Sequence, residues 1–492
     1  MSYILSIDQS TASTKAILFD RDGNLKDRFD APHRQLVNEV GWVEHDPMEI
    51  WQNLIDAVKG VLSKSGVSSN EISGAALSNQ RETSIVWDRT TGRPFYNAIV
   101  WQCGRGEEIC SRIAALGARD LIKKSTGINL SPYFSASKIA WVLENVPEAR
   151  RASSKGVLCC STIDSWLVYM LTGGKSVMTD FSNASRSQMF NINTLQWDKE
   201  VCLLFGINTD YLPGLADSNA LFGYTDFGGA LDRAVPLHGV MGDSHGALFA
   251  QGCHEKGMVK ATYGTGSSVM MNVGESLVSS VDIVTSLAWR IDGKVDYVLE
   301  GNINYTGAVI KWLTDDVGLL ESSKEAGLVA SRAKYVPGLY IVPAFSGLGA
   351  PYWDGNARAI ICGMDRSCGK AEIVRAAEEC IAYQITDIIR LMEHEIGGNI
   401  STLRVDGGAT KDSFLMQFQA DIANAQVSVP KFEELSAMGP AFAAGIAIGI
   451  YDKKKIFGRS PAAIYRPSIS GEHREKLYSG WRDAVEKALS KK

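Results

Sequence analysis

The sequence is short of the features that mark several whole classes of protein. Its 492 residues include only 14 prolines, and it has no apolar run near the roughly 20 residues that a membrane-spanning helix needs. Lys and Arg number 50 against 55 Asp and Glu, so no basic surplus is present to neutralise nucleic acid or an anionic bilayer. These shortages exclude a disordered or collagen-like chain and disfavour both a nucleic-acid partner and membrane insertion.

Cysteine and histidine usage points the same way. The nine cysteines are an odd number without a C-x-x-C pair, and the seven histidines show neither H-E-x-x-H nor mixed Cys/His spacing, so a structural zinc is disfavoured. The N-terminus has no basic segment followed by an apolar one, as a signal peptide would. We therefore expect a cytoplasmic protein with reduced thiols.

What the sequence has in quantity is material for a large core. Hydrophobic residues make up 45% and charged residues 21%, which is typical of globular proteins, and the length suggests about two to four folding units. Residues 3–8 and 15–20 predict two strands around a polar turn, with a third extended stretch behind them. Residues 258–263 and 269–273 repeat that pattern around a glycine-rich turn. The sequence therefore predicts two α/β domains, 1–247 and 248–492.

Helical patterns fill the stretches between these strands. Asp46 and Pro47 suit the N-cap and first position of a helix, and Glu49 is placed to complete a capping box. Apolar residues at helical spacing predict further helices at 307–315, 370–395 and 411–424. The small, apolar run 440–450 is too short to span a membrane and predicts a packed helix.

The polar turns between the paired strands indicate phosphate binding. From Asp8 to Lys15 the chain offers a carboxylate, four hydroxyl residues, backbone N–H groups and then a cation, which suits a polyphosphate with Asp8 facing Mg²⁺ through water. Gly264 to Ser267 can cradle phosphates in the same way, and Gly408 lies in a third strand-to-helix turn that suits a nucleotide base or ribose. Any one such turn is commonly structural, but two at equivalent places favour a nucleotide site.

A second set of residues suits a small hydroxylated substrate. Glu82 can accept hydrogen bonds from vicinal hydroxyls while Arg81 donates, and Trp101 and Tyr133 can wall the carbon skeleton. Asp243 precedes the predicted domain junction and can take a proton from an attacking hydroxyl. Each feature also has a purely structural interpretation. Arg81 and Glu82 suit a surface ion pair, Trp101 and Tyr133 suit core packing, and Asp243 suits a helix cap.

Seven blocks of sequence carry a resemblance that covers nearly the whole chain. The sequence resembles the FGGY family of carbohydrate kinases, and within it the glycerol kinases, at residues 41–47 (GWVEHDP), 78–83 (SNQRET), 97–103 (NAIVWQC), 133–141 (YFSASKIAW), 262–266 (TYGTG), 343–354 (PAFSGLGAPYWD) and 404–409 (RVDGGA). The resemblance implies two RNase H-like domains of the sugar kinase, actin and chaperone superfamily flanking a catalytic cleft. It also implies ATP and Mg²⁺ as cofactors, a polyol as substrate, and a homodimer or homotetramer.

The resemblance also assigns roles residue by residue. It implies Asp243 as the catalytic base. It also implies Asp8, through water, as a metal contact, with Asp243 as a further candidate. The implied polyol contacts are Arg81, Glu82, Trp101, Tyr133, Asp243, Ser244 and Ser268. The implied nucleotide contacts are Thr11, Ala12, Ser13, Lys15, Thr265, Gly307, Lys311, Gly408 and Asp412.

Several of these positions depart from the family pattern. Ser10 and Ala12 stand where glycine and a hydroxyl residue are usual, and Lys311 and Asp412 replace a usual Gln and Asn. Ser244 and Ser268 are further departures: Ser244-His245 replaces a usual Gln-Gln pair, and Ser268 replaces a Phe, which enlarges the expected pocket.

We therefore expect glycerol as substrate and keep open a larger polyol or ketose of the erythritol, pentitol, ribulose or xylulose type. A nucleotide-gated binding protein of the same superfamily, without kinase activity, is the alternative from another class.

Overall fold

A computed structural model describes residues 2–490 of the chain. Met1, Lys491 and Lys492, which fall at the outer ends of the two predicted domains, lie outside the described residues. The strands, numbered in chain order, are β1 (Tyr3–Gln9), β2 (Ser13–Phe19), β3 (Leu25–Pro32), β4 (Leu36–Val37), β5 (Val43–His45), β6 (Ile72–Asn79), β7 (Ser84–Asp88), β8 (Ala98–Ile99), β9 (Leu158–Thr162), β10 (Met178–Asp180), β11 (Phe190–Asn191), β12 (Gln196–Trp197), β13 (Gly214–Ala216), β14 (Leu221–Thr225), β15 (Val235–Gly242), β16 (Val259–Tyr263), β17 (Ser267–Gly274), β18 (Val284–Ile291), β19 (Lys294–Ile303), β20 (Tyr340–Val342), β21 (Ile360–Cys362), β22 (Thr402–Gly407), β23 (Gln426–Val429) and β24 (Ala463–Tyr465).

Helices connect and cover these strands. They are α1 (Pro47–Ser65), α2 (Glu107–Ala115), α3 (Arg119–Thr126), α4 (Ser135–Asn145), α5 (Pro147–Ser154), α6 (Ile163–Leu171), α7 (Phe181–Ala184), α8 (Lys199–Leu204), α9 (Asp243–Ala250), α10 (Gly307–Asp315), α11 (Ala326–Arg332), α12 (Lys370–Ile396), α13 (Ser413–Ala423), α14 (Leu435–Ala447), α15 (Lys453–Phe457) and α16 (Gly471–Ala488). No helix within residues 2–490 is both long enough and apolar enough to cross a bilayer.

The two main sheets share one topology. In the first, with the order β14-β15-β6-β1-β2-β3, β1 to β3 form an antiparallel meander and β6 and β15 add in parallel. In the second, with the order β18-β19-β17-β16-β22-β23-β24, the β16–β17 hairpin is extended by β19, while β22 and β23 add in parallel. The predicted meander and the repeat of its opening in the second half are confirmed.

A third sheet, β4-β5-β8-β7-β9, lies within the first half and packs with α4 and α5. Arg105 helps to hold this region together. Its guanidinium lies 4.6 Å from the ring centre of Trp42 and 4.7 Å from that of Trp141, and it forms a 2.6 Å ion pair with Glu44. Cation–π contacts of this kind are stronger where water is excluded, and the Arg105 side chain is fully buried.

The second half also contributes to the first sheet's covering layer. Helix α14 packs on β1, β6 and β15 and crosses α9 closely enough that a Cβ on Gly439 would lie 2.0 Å from the carbonyl oxygen of Gly246. Only glycine permits that approach, which explains the small residues of the predicted packed helix. The boundary near residue 247 stays a prediction, because α9 runs through it and α14 ties the two halves together.

One helix start differs from the prediction. Asp46 caps α1 by accepting the backbone N–H of Met48, and Pro47 occupies the first position. The Glu49 carboxylate does not complete a capping box; it accepts hydrogen bonds from the backbone and guanidinium of Arg34 at 3.1 and 3.2 Å. A cationic neighbour fifteen residues back competes successfully for the carboxylate.

Candidate active site

The predicted acceptor residues and the first phosphate turn meet at one edge of the first sheet. Strands β1, β6 and β15 run parallel, and their ends are in register: Gln9 pairs with Asn79, and Asn79 with Gly242. Each strand therefore delivers its following residues to the same place. The turn after β1, the Arg81-Glu82 pair after β6 and Asp243 after β15 converge there.

Arg81 and Glu82 do not form a salt bridge with each other. The Arg81 guanidinium donates two hydrogen bonds to Glu300, at 2.8 and 2.9 Å, whereas Glu82 accepts one of 2.6 Å from Arg186. Glu82 has φ 60°, a left-handed conformation that is costly for a non-glycine residue and that turns the two neighbouring side chains apart. Both residues are buried, so a surface ion pair is the wrong interpretation of this dipeptide.

These contacts belong to a longer chain of alternating charges. Arg186 also lies 3.0 Å from Glu300, and the Nε of Arg81 lies 3.2 Å from the Asp243 carboxylate. Burial alone would raise the pKa of Glu300, but the adjacent Arg186 and Arg81 outweigh it and hold that pKa well below its usual range. In this network a buried anion is compensated by two buried cations.

Asp243 is the accessible end of this chain. Its side chain is 35% exposed, against 7% for Arg81 and 0% for Glu300. It begins α9, and one of its oxygens accepts the backbone N–H of Ser244 at 2.5 Å. The preceding Gly242 leaves room for the Arg81 stem, because a Cβ there would lie 2.7 Å from Arg81 Cγ. The carboxylate is thus held by a cation yet partly exposed.

The two predicted wall aromatics are neighbours. The ring centres of Trp101 and Tyr133 lie 5.6 Å apart at a tilt, and the Trp101 indole N–H donates a 3.0 Å hydrogen bond to the hydroxyl of Thr11. The buried ammonium of Lys138 donates to the carbonyl oxygens of residues 132–134, which fixes the loop that carries Tyr133. Burial lowers the pKa of Lys138 to about 7.

The first phosphate turn is narrow and partly self-bonded. The hydroxyl of Ser10 donates to the carbonyl oxygen of Ser13. The Nε2 of His33 lies 3.2 Å from the carbonyl oxygen of Thr11. The side chain at Ala12 is exposed, so the turn opens to solvent there. These contacts define the shape of the turn.

The carboxylate and the cation that flank this turn interact with each other. Asp8 is buried with one carboxylate oxygen lacking a hydrogen-bond partner, and burial raises its pKa to about 6. The ammonium of Lys15 lies 3.9 Å from Asp8 and 2.9 Å from Glu434.

The second turn is built on the β16–β17 hairpin. The N–H of Gly307 donates to the carbonyl oxygen of Gly264 at 3.0 Å, and the N–H groups of Thr306 and Ala308 donate to that of Thr265. The start of α10 is thereby bound to the turn. Ser268, the next residue but one after Gly266, donates its hydroxyl to Glu300 at 3.1 Å.

The remaining predicted nucleotide contacts lie on the second half. Lys311 is 72% exposed and lies 3.9 Å from Asp315 along α10. Asp412 caps α13 by accepting the N–H groups of Phe414 and Leu415, and Gly408 has open space where a side chain would be. The capping role accounts for an acidic residue at position 412 by itself, so a nucleotide role for Asp412 and Lys311 stays a prediction.

Sequence reasoning missed Arg186, Glu300 and Lys138. Arg186 follows α7 in an otherwise small, polar stretch and is fully buried. Glu300 is a charged residue inside the buried part of β19, and that contrast was the available signal. His245 enters the sequence analysis only as part of the pair that replaces Gln-Gln; it is buried, and burial together with Arg81 holds its pKa well below its usual range.

Two repeated α/β halves, a polar turn after the first strand of each main hairpin and a buried charge network that ends at the exposed Asp243 are the features expected of a phosphotransferase that acts on an alcohol. The model of the FGGY family of carbohydrate kinases, N-terminal domain, matches residues 3–250, and that of its C-terminal domain matches residues 259–448. The chain belongs to the FGGY family of carbohydrate kinases.

Similar proteins agree over the full length. The chain is 46% identical to glycerol kinase 1 of Thermotoga maritima over 494 residues, covering 99% of this chain and 100% of that protein. It is 44% identical to a glycerol kinase of Alkaliphilus oremlandii, covering 99% and 97%. A crystal structure of Plasmodium falciparum glycerol kinase with ADP superposes with a TM-score of 0.94 at 36% identity, covering 100% and 99% of the two chains. A xylulose kinase of Lactobacillus acidophilus shares the fold, with a TM-score of 0.85 at 21% identity and 99% coverage of each chain.

Proposed function

We propose that the protein transfers the γ-phosphoryl group of ATP to a terminal hydroxyl of glycerol, forming glycerol 3-phosphate. The observation that carries the proposal is Asp243, held by Arg81 and partly exposed, at the strand edge that also presents the first phosphate turn. The relatives named as glycerol kinases, one of them solved with ADP, support the choice of acceptor and donor.

The acceptor is bound by complementary polar groups against an aromatic wall. Arg81 donates to one hydroxyl and Glu82 accepts from its neighbour, while Trp101 and Tyr133 cover the carbon skeleton. Asp243 then accepts the proton of the attacking hydroxyl, a role worth about 10²–10⁴ in rate. Because Asp243 is the exposed member of the network, it can meet the substrate without breaking the buried ion pairs.

The nucleotide lies between the two turns in this proposal. Thr11, Ser13 and Lys15 from the first turn and Thr265, Gly307 and Gly408 from the second half contact the phosphates, ribose or base. Attack must be in line with the γ-phosphorus, and closure of the cleft excludes water as a competing acceptor. Lys15 is already shared between Asp8 and Glu434, so its approach to a phosphate requires it to leave Glu434.

The residues present fit a magnesium ion beside the turn. The unpartnered carboxylate oxygen of Asp8 is an oxygen ligand that can be satisfied through a metal-bound water, and the Asp243 carboxylate acts on Asp8 electrostatically from nearby. Asp8 would hold Mg²⁺ there through water, and the ion would supply positive charge beside the phosphates of the nucleotide. Asp8 has to be ionised for this, which its raised pKa permits at neutral pH.

A larger acceptor is the second candidate, and one observation favours it. Ser268, whose hydroxyl donates to Glu300, is a small side chain at the position where the family resemblance places a Phe. A pocket with more room discriminates weakly, by about 1–3 kcal/mol per methylene-sized group. Erythritol, pentitols, ribulose and xylulose are therefore the acceptors to compare with glycerol.

The test is product formation from ATP with glycerol, erythritol, pentitols and ketopentoses, each measured as kcat/KM and identified by mass. The proposal predicts the highest kcat/KM for glycerol. A higher value for a four- or five-carbon acceptor would replace glycerol by that substrate. No phosphorylated product with any of them would favour a nucleotide-gated binding protein of this fold, against which the Arg81–Glu82 clamp argues.

We also propose a reducing, cytoplasmic location and a homodimer or homotetramer. All nine cysteines are free, and seven of them are buried, which suits a compartment where thiols stay reduced. Fluorescence of a tagged chain in its own cells tests the location, and sedimentation equilibrium tests the subunit number.

A further inference from the structure

Glu300 contacts the proposed acceptor clamp, the pair Arg81 and Glu82 with its partner Arg186, from the opposite half of the molecule. It lies on β19 of the second sheet, whereas Arg81, Arg186 and Asp243 follow elements of the first half. Arg81 donates two hydrogen bonds to it, and Arg186 forms an ion pair with it at 3.0 Å. One carboxylate of the second half is thus bound by two guanidinium groups of the first.

The same carboxylate is rigidly connected to the second phosphate turn. On the β17–β19 ladder Ser267 pairs with Ile303 and Ser268 with Asn302, and the Ser268 hydroxyl donates to Glu300. The turn that contains Gly264 is the loop between β16 and β17, so a short, fully paired piece of sheet joins it to Glu300. The Arg81–Glu300 contact therefore sets the distance between the phosphate turn and the clamp.

Burial makes this contact hard to replace. The side chains of Glu300 and Arg186 are fully buried, and a buried cation that loses its counter-charge is strongly destabilised. Without the Glu300 charge, the anions left to Arg81 and Arg186 are Asp243 and Glu82, with which each already forms an ion pair. Those two carboxylates are the groups proposed to deprotonate and bind the acceptor, so the substrate would compete with arginine for them.

We propose that Glu300 is a positioning residue that aligns Arg81 and Asp243, and hence the acceptor hydroxyl, with the second phosphate turn. The inference rests on the proposed function for the identity of the acceptor. The contacts of Glu300, Arg81 and Asp243 do not depend on that identity. It predicts that Glu300 acts on acceptor binding and on turnover and leaves nucleotide binding intact, because its hydrogen bonds and ion pairs are to Arg81, Arg186 and Ser268 and not to the residues proposed to contact the nucleotide.

The experiment compares Glu300→Gln with Asp296→Asn, the same carboxylate-to-amide change on the same strand outside the network, where Asp296 accepts the indole N–H of Trp289. We expect Glu300→Gln to raise the acceptor KM at least tenfold and to lower kcat by up to about 10²-fold, as a misplacement near 1 Å can. The KM for ATP should stay within about twofold, and Asp296→Asn should leave all three parameters unchanged. Glu300→Asp, which keeps the charge but shortens the side chain, should give a smaller change in the same direction and serves if Glu300→Gln does not fold.

Equal changes in the acceptor and ATP parameters, or wild-type kinetics in Glu300→Gln, would overturn the inference. If wild type phosphorylates an acceptor other than glycerol, the same comparison is made with that acceptor, and only the proposed substrate is wrong. If wild type phosphorylates nothing, a crystal structure of Glu300→Gln decides: the inference predicts that the Arg81 side chain turns to Asp243 or Glu82, and an unmoved Arg81 refutes it.

Discussion

The indole N–H of Trp101 donates a 3.0 Å hydrogen bond to the hydroxyl of Thr11, which joins the proposed acceptor wall to the first phosphate turn. The Thr11 hydroxyl in turn lies 3.3 Å from the side-chain oxygen of Gln80, next to Arg81. A residue assigned to the nucleotide and a residue assigned to the acceptor therefore share one polar group. We therefore expect binding at either half-site to act on the other through this contact.

Replacing Thr11 by Val removes the shared hydroxyl at almost constant volume. We expect KM to rise for both acceptor and ATP, with kcat/KM falling about tenfold, because an unpaired, half-buried indole N–H costs roughly 1–2 kcal/mol. Steady-state kinetics in both substrates measures this. Thr194→Val, at an exposed threonine, is the control, and an effect of Thr11→Val on one substrate alone would refute the coupling.

Filling the space beside Ser268 should change acceptor choice. Ser268→Phe is expected to lower kcat/KM for four- and five-carbon acceptors relative to glycerol by roughly 10–200-fold, because an aromatic ring removes the room that they need. Ser268→Ala removes only the hydroxyl that contacts Glu300 and should leave the ratio nearly unchanged. Kinetics with glycerol and erythritol as competing acceptors gives the ratio, and an unaltered ratio in Ser268→Phe would place the selectivity elsewhere.

Stability should fall in acid through His33. Burial, with the adjacent His45, lowers the pKa of His33 from 6.5 to about 4, so the unfolded chain binds this proton at a higher pH than the folded one does. The stability is present above about pH 6.5 and is lost as the pH falls towards 4, by at most about 3 kcal/mol. Urea unfolding at several pH values should show this slope, and His33→Gln, which cannot titrate, should make it less steep. A slope that His33→Gln leaves unchanged would assign the effect to other groups.

Replacing the buried Arg105, whose guanidinium contacts the rings of Trp42 and Trp141, should lower the free energy of unfolding far more than replacing an exposed arginine. Arg105→Met leaves Glu44 without its cation and is expected to lower the free energy of unfolding by about 3 kcal/mol. Arg112→Met, in an exposed ion pair with Glu144, should cost less than about 1 kcal/mol. Urea denaturation of the two variants makes the comparison. Equal losses of unfolding free energy would mean that the burial of Arg105 against Trp42 and Trp141 contributes nothing.

The sequence predicted the features that local pattern controls. The meander of β1 to β3, the repeated hairpin at β16 and β17 and the long helix α12 all follow from alternation, turns and helical spacing. The grouping of Arg81 and Asp243 in one site came from the family resemblance, and the structure explains it by the parallel pairing of β6 and β15, since residues that follow parallel strands arrive at one sheet edge.

Pairings between distant residues could not be predicted in this way. Arg81 and Glu82 are adjacent in sequence, yet each binds a partner more than one hundred positions away, Glu300 and Arg186 respectively. Burial selects these partners, because a buried charge must find a counter-charge wherever the fold brings one. Glu49 illustrates the same limit locally: its spacing suited a capping box, but a nearby arginine offered the stronger partner.

The most direct test of the account is turnover by Asp243→Asn. The amide keeps the size and the hydrogen bond to Ser244 but cannot accept the acceptor's proton, so the account predicts a fall in kcat of about 10²–10⁴ with ATP affinity unchanged by calorimetry. Turnover within threefold of wild type would contradict the assignment of Asp243 as the base.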